Sequence, residues 1–122
     1  MKLVIPVDEK NIDSVVCISF GRTPYFLVYN TETKEISFLD NSAIASSGGA
    51  GIKAAQSIVD IEGDILITPR CGENAADVLE AADIKIYKSK EKNAKGNIED
   101  FINGVLLELT DIHEGFHGQG AK

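Results

Sequence analysis

No stretch of this 122-residue chain approaches the roughly 20 consecutive apolar residues of a membrane-spanning helix. An α-helical membrane protein is therefore excluded. The opening run Leu3–Val7 is far too short for the core of a secretory signal and is interrupted by Pro6, so a cytoplasmic location is expected. Basic charge is scarce as well: twelve Lys and Arg stand against nineteen Asp and Glu, a net charge of −7. A field of that sign repels phosphate backbones, so nucleic acid is not an expected partner. The lysines at 85, 88, 90, 92 and 95 read as a solvated set spread through a loop. Only two cysteines occur. In a cytoplasmic protein Cys17 and Cys71 are expected to be thiols rather than a structural disulfide, and they lack the C-x-x-C spacing of a metal motif.

What is present is an ordinary globular composition, 43% hydrophobic and 25% charged. The length suits one domain that buries about two-thirds of its unfolded surface. Residues 1–110 read as that domain and 111–122, with glycines and two histidines, as a flexible tail.

Three continuous apolar runs read as strands covered on both faces: Lys2–Val7, Pro24–Asn30 and Ile65–Ile67. Pro6 cannot donate to a ladder, so the first strand is expected to end or kink near it. Glu35–Leu39 and Ile84–Tyr87 partly alternate, as edge strands do. A helix is expected from about Ala50 to Val59, with Ile52, Ala55 and Val59 inward. A second carries Ala75, Val78, Leu79 and Ala82 on one face. Asn97 is placed as the cap of a third, whose apolar stripe runs from Ile98 to Leu109 with Gly104 unexplained inside it.

The resulting order is βββαβαβα. Central strands must be the apolar ones, which gives a five-stranded mixed sheet of order 3-2-1-4-5, strand 2 antiparallel, with helices on both faces. The first and fourth strands are then parallel neighbours. Their carboxyl ends share a rim, where open α/β sheets bind ligands. The long connection 8–23 and the turn after Ile67 both lie there, so the order places Cys17 and Cys71 on one rim.

Phe20–Phe26 (F-G-R-T-P-Y-F) resembles the signature of the nitrogenase iron–molybdenum cofactor biosynthesis family. The order of other blocks is similar too: I-P-V-D at Ile5–Asp8, G-G-A-G at Gly48–Gly51 and G-E-N-A-A-D-V-L at Gly72–Leu79. Family members often carry a histidine immediately before F-G-R, where this chain has Ser19. The resemblance implies a ribonuclease-H-like three-layer fold. It also implies a non-catalytic accessory or carrier protein for an iron–sulfur or iron–molybdenum-type cluster or its precursor. Its partners would be that anionic cluster and a protein that gives or receives it. The alternative is a small regulatory or protein-interaction domain of the same fold that binds no metal.

On this reading Cys17, Arg22, Cys71, Gly72 and Asn74 form the binding site, the two thiols being metal ligands together with His113 and His117 of the tail. Arg70 also flanks the rim. H-E-G-F-H at His113–His117 formally matches the zinc-protease H-E-x-x-H, but an internal glycine and flanking glycines contradict the rigid helix that chemistry needs. Gly49–Ala54 fits a loose dinucleotide fingerprint but follows no strand directly, which leaves a flexible entry to a helix or, as a middle reading, an anion site at that helix start. Asp8, Glu73 and Asp77 form a nuclease-like acid set only on the analogy of the fold.

Overall fold

A computed structural model describes residues 1–45 and 48–109. The strands are β1 (Lys2–Val7), β2 (Tyr25–Asn30), β3 (Ile36–Asp40), β4 (Ile65–Thr68) and β5 (Lys85–Lys88). The helices are α1 (Ala50–Asp60), α2 (Glu73–Ala81) and α3 (Ala94–Ile102), and Ser42–Ala45 forms one 3-10 turn. The sheet order is β3-β2-β1-β4-β5. β2 is antiparallel to both neighbours, while β1–β4 and β4–β5 are parallel. This is the order that the apolar runs required.

The period of two along each central strand divides the core. Val4, Phe26 and Leu66 face α1 and α2, whereas Leu3, Ile5, Val7, Leu27, Ile65 and Ile67 face the layer of α3. All of these are buried, so helices cover both faces.

β1 ends at Val7, one residue beyond Pro6, as the proline leads one to expect. Pro6 pairs with Phe26 on β2, and its carbonyl points the other way, accepting the Cys17 amide at 2.9 Å. Its missing N–H would point away from β2 as well, so the β1–β2 ladder loses nothing.

The inward face of α1 is Ala50, Ala54, Ala55 and Ile58, while Ile52 is 43% exposed. Small side chains face inward because α1 and α2 approach closely: a Cβ on Gly51 would lie 3.6 Å from that of Ala75. In α2 the buried residues are Ala75, Ala76 and Leu79, and Ala82 is its exposed C-cap.

The third helix is displaced from its expected position. Asn93, not Asn97, is the N-cap, its side-chain oxygen accepting from the Gly96 amide at 2.8 Å. Asn97 is fully buried within the helix. It accepts from the Lys90 amide at 2.7 Å and donates to the Lys90, Lys92 and Asn93 carbonyls, folding the 90–93 loop onto the helix. Gly104, with φ +75°, ends the helix. The Gly104 amide donates to Phe101 and that of Val105 to Asp100, the paired bonds of a Schellman motif. The stripe beyond it therefore lies in an extended return along β5, where Leu109 donates to Ile86 and Lys88 to Leu107. His113 and His117, and the tail from residue 110 onward, lie outside the described residues.

Candidate functional site

Strand directions gather the carboxyl ends of β1, β3, β4 and β5, and the amino end of β2, on one rim. The connection 8–24 is built over this rim in two parts. The first is tied to α3. Ser14 is buried; its hydroxyl accepts from the Asp8 and Glu9 amides, and its carbonyl takes the Ala94 amide at 3.0 Å. The Lys95 amide donates to the Ile12 carbonyl at 2.9 Å. Open donors at the start of α3 are thus satisfied by the loop.

The connection then enters the sheet. The β1–β4 ladder comprises Leu3–Ile65 and Val4–Leu66, and beyond it Val16 bridges Val7 in antiparallel fashion. Because Val7 is already paired with Tyr25 on the β2 side, Val16 and Cys17 occupy the β4 side of the β1 terminus. Cys17 therefore lies beside the carboxyl end of β1, on the side that faces β4. Its side chain is half-buried, with Sγ 3.6 Å from the Ser19 carbonyl oxygen. Burial pushes the thiol up from its ordinary range, and the Asp8 carboxylate adds to this.

The second part, Phe20–Pro24, is pinned from several directions. Phe20 is buried against Phe26, ring centroids 5.5 Å apart. Gly21 meets the first turn of α1: a Cβ there would lie 2.9 Å from the Gly51 nitrogen. The fully buried Thr23 hydroxyl lies 2.8 Å from the Val7 carbonyl oxygen and 3.0 Å from that of Tyr25. The buried Asn41, just after β3, reaches back to the carbonyls of Gly21 and Thr23. Arg22, between them, is exposed on the rim and makes contacts of its own.

Cys71 follows β4 by three residues and is 2% exposed, in the same apolar cluster as Phe20, Ala50, Ala54 and Ala75. Burial, with a smaller contribution from the Glu80 carboxylate, pushes its thiol up to about 11. Gly72 is the N-cap of α2, Asn74 is exposed in its first turn, and Arg70 is exposed beside them. Gly72 and Gly49, caps of α2 and α1, provide no side-chain hydrogen bond. α2 carries Glu73 in its first turn, whereas α1 has no acid there. The start of α1 is therefore the more electropositive of the two.

The three sequence blocks thus meet at one place: F-G-R-T-P lies on G-A-G, and G-A-G on A-A of α2. Among the described residues, no group of three or more His, Cys, Asp or Glu is positioned to hold a metal ion, so Asp8, Glu73 and Asp77 do not form one. This end of the sheet carries one half-buried thiol, the exposed Arg22 and Arg70, and the starts of α1 and α2. A hollow of about 330 Å³ lined by Lys2, Val28, Asn30 and Glu35 lies at the opposite end of the strands. Thr23, Asn41 and Ser14 escaped sequence reasoning, since nothing local marks which distant carbonyl or amide a polar side chain will bind.

No helix among the described residues is long and apolar enough to cross a membrane. No curated protein matches the sequence. The apo form of the orange protein from Desulfovibrio gigas is 27% identical, over 89% of this chain and 92% of that one, with a TM-score of 0.85. A NifB candidate from Thermotoga is 34% identical over 98% of both chains, with a TM-score of 0.80. A dinitrogenase candidate from Methanocaldococcus jannaschii shares the fold at 23% identity, over 90% of this chain and 95% of that one, with a TM-score of 0.66. Residues 1–104 match the family described as dinitrogenase iron–molybdenum cofactor, and the chain belongs to that family.

Proposed function

We propose that the protein is a non-catalytic carrier that takes an iron–sulfur or iron–molybdenum-type cluster, or a precursor of one, as cargo at the carboxyl rim. The observation that carries this reading is the placement of Cys17 beside the carboxyl end of β1, on its β4 side, on the same connection whose Gly21 lies against the start of α1. Such clusters are anionic assemblies of metal and sulfide, and they suit one exchangeable thiolate with surrounding positive charge and N–H donors. Arg22 supplies the charge. Gly72 and Asn74 shape the start of α2, and Cys71 backs the site from the core side. His113 and His117 are further candidate ligands. The similarity to a protein solved in a form called apo points the same way, since that word implies a bound counterpart. Burial holds both thiols toward the protonated form, so ligation of a cluster by Cys17 would release its proton as the thiolate binds metal.

Anaerobic reconstitution with ferrous iron and sulfide, with and without molybdate, tests the proposal. Metal content and visible absorption are expected in the wild type, reduced in Cys17→Ser and abolished in Cys17→Ser/Cys71→Ser. Equal metal content in the wild type and the double variant refutes it. A second reading, a metal-free regulatory or protein-interaction domain, is favoured by one observation: the near-complete burial of Cys71 in apolar packing. A colourless, metal-free protein after purification without oxygen, and after reconstitution, would select it.

A further inference from the structure

Asn41 immediately follows β3 and is 2% exposed. Its Nδ2 group donates to the Gly21 carbonyl at 3.1 Å and to the Thr23 carbonyl at 2.8 Å. Its Oδ1 accepts from the Ala43 amide at 3.2 Å, and its own amide donates to the Pro24 carbonyl at 3.1 Å. Two partners can only accept and one can only donate, so a single orientation of the carboxamide satisfies all three side-chain bonds. The two carbonyls it holds belong to the residues on either side of Arg22. Gly21 is meanwhile pressed against Gly51, and the Thr23 hydroxyl is fixed near the last carbonyl of β1. The Gly21–Arg22 and Thr23–Pro24 peptide units, one before and one after Arg22, are therefore held by Asn41, by the start of α1 and by β1 at once.

We infer that Asn41 is a positioning residue: by clamping both carbonyls that flank Arg22, it fixes the direction in which that side chain leaves the backbone and so the strength with which the rim holds an anion. The inference rests on the reading of Arg22 as an anion-binding residue given above. The clamp itself is a property of the ligand-free chain, so the two are separable.

Two measurements on the full chain decide it. Amide hydrogen exchange without ligand compares the wild type with Asn41→Asp, which loses both donors, and with Asn41→Ser, a second variant that keeps one hydroxyl donor. Exchange at Gly21, Arg22 and Thr23 is expected to be at least about tenfold faster in either variant, with the amides of β1 and α2 unchanged. Unchanged rates at those three residues overturn the clamp. Equal acceleration throughout β1 and α2 overturns it too, since Asn41 then supports only global stability. The second measurement is titration with molybdate as the anion probe. Arg22→Gln and Asn41→Ser should each weaken binding, and the double variant should bind no more weakly than Arg22→Gln alone. Additive losses show that Asn41 acts independently of Arg22 and overturn the inference. Wild-type molybdate binding by Arg22→Gln removes the anion-binding role of Arg22 and with it the functional half of the inference, while the exchange rates alone still decide the clamp.

Discussion

Gly21 and Gly51, thirty positions apart, touch backbone to backbone, with room for no side chain on the first and for a methyl group on the second. Gly21→Ala should destabilise the protein by about 1–3 kcal/mol, because its methyl group meets the backbone of α1 rather than a yielding side chain. Gly51→Ala should be neutral or stabilising by up to about 1 kcal/mol, since its methyl would sit at ordinary contact distance from Ala75 in a helix that gains from the loss of a glycine. Denaturant unfolding of the two variants measures the contrast, and equal effects would contradict the close approach.

Two asparagines four residues apart perform different work. Asn93→Ala removes one capping bond and should cost about 1 kcal/mol. Asn97→Ala strips the buried partners from the 90–93 loop and should cost more than about 2 kcal/mol. Thermal melts of both variants check the ranking.

The sheet order is legible in the sequence because burial on two faces leaves a plain mark in composition. Lys2–Val7, Tyr25–Asn30 and Ile65–Thr68 are apolar nearly throughout, and only central strands need that. The extent of α3 is not legible. Ile98, Phe101, Ile102, Val105, Leu106 and Leu109 have helical spacing, yet a left-handed Gly104 stops the helix and sends the last three into an extended segment. The face of α1 eludes periodicity for a related reason: large apolar residues dominate such a pattern, whereas close helix packing selects alanine. Topology alone puts Cys17 on the rim. Its position on the β4 side of β1 depends on Val16 bridging Val7, for which no residue type is diagnostic.

The Asp8 carboxylate opposes ionisation of Cys17, so Asp8→Asn should lower the Cys17 pKa. Alkylation by iodoacetamide at pH 8 should then proceed several-fold faster at Cys17, with Cys71 unlabelled in both proteins because it is buried. Mass spectrometry of the labelled peptides measures both. An unchanged Cys17 rate would show that Asp8 exerts no field on the thiol.

Cys71 links stability to alkaline pH. A folded-state pKa raised from 9.0 to about 11 means that the unfolded chain releases its proton first. The stabilising contribution is therefore complete below pH 9 and is lost as pH rises towards 11. Unfolding free energy should fall across that window in the wild type and fall less steeply in Cys71→Ala. Identical slopes would show that the thiol is not shifted.

Gly104 also governs how the sheet meets the outside world. By turning residues 105–109 back beside β5, it covers one margin with an irregular segment that a foreign strand cannot easily copy. Among the described residues, β3 is then the one regular margin left. Addition of a further strand is thus open beside β3 and obstructed beside β5.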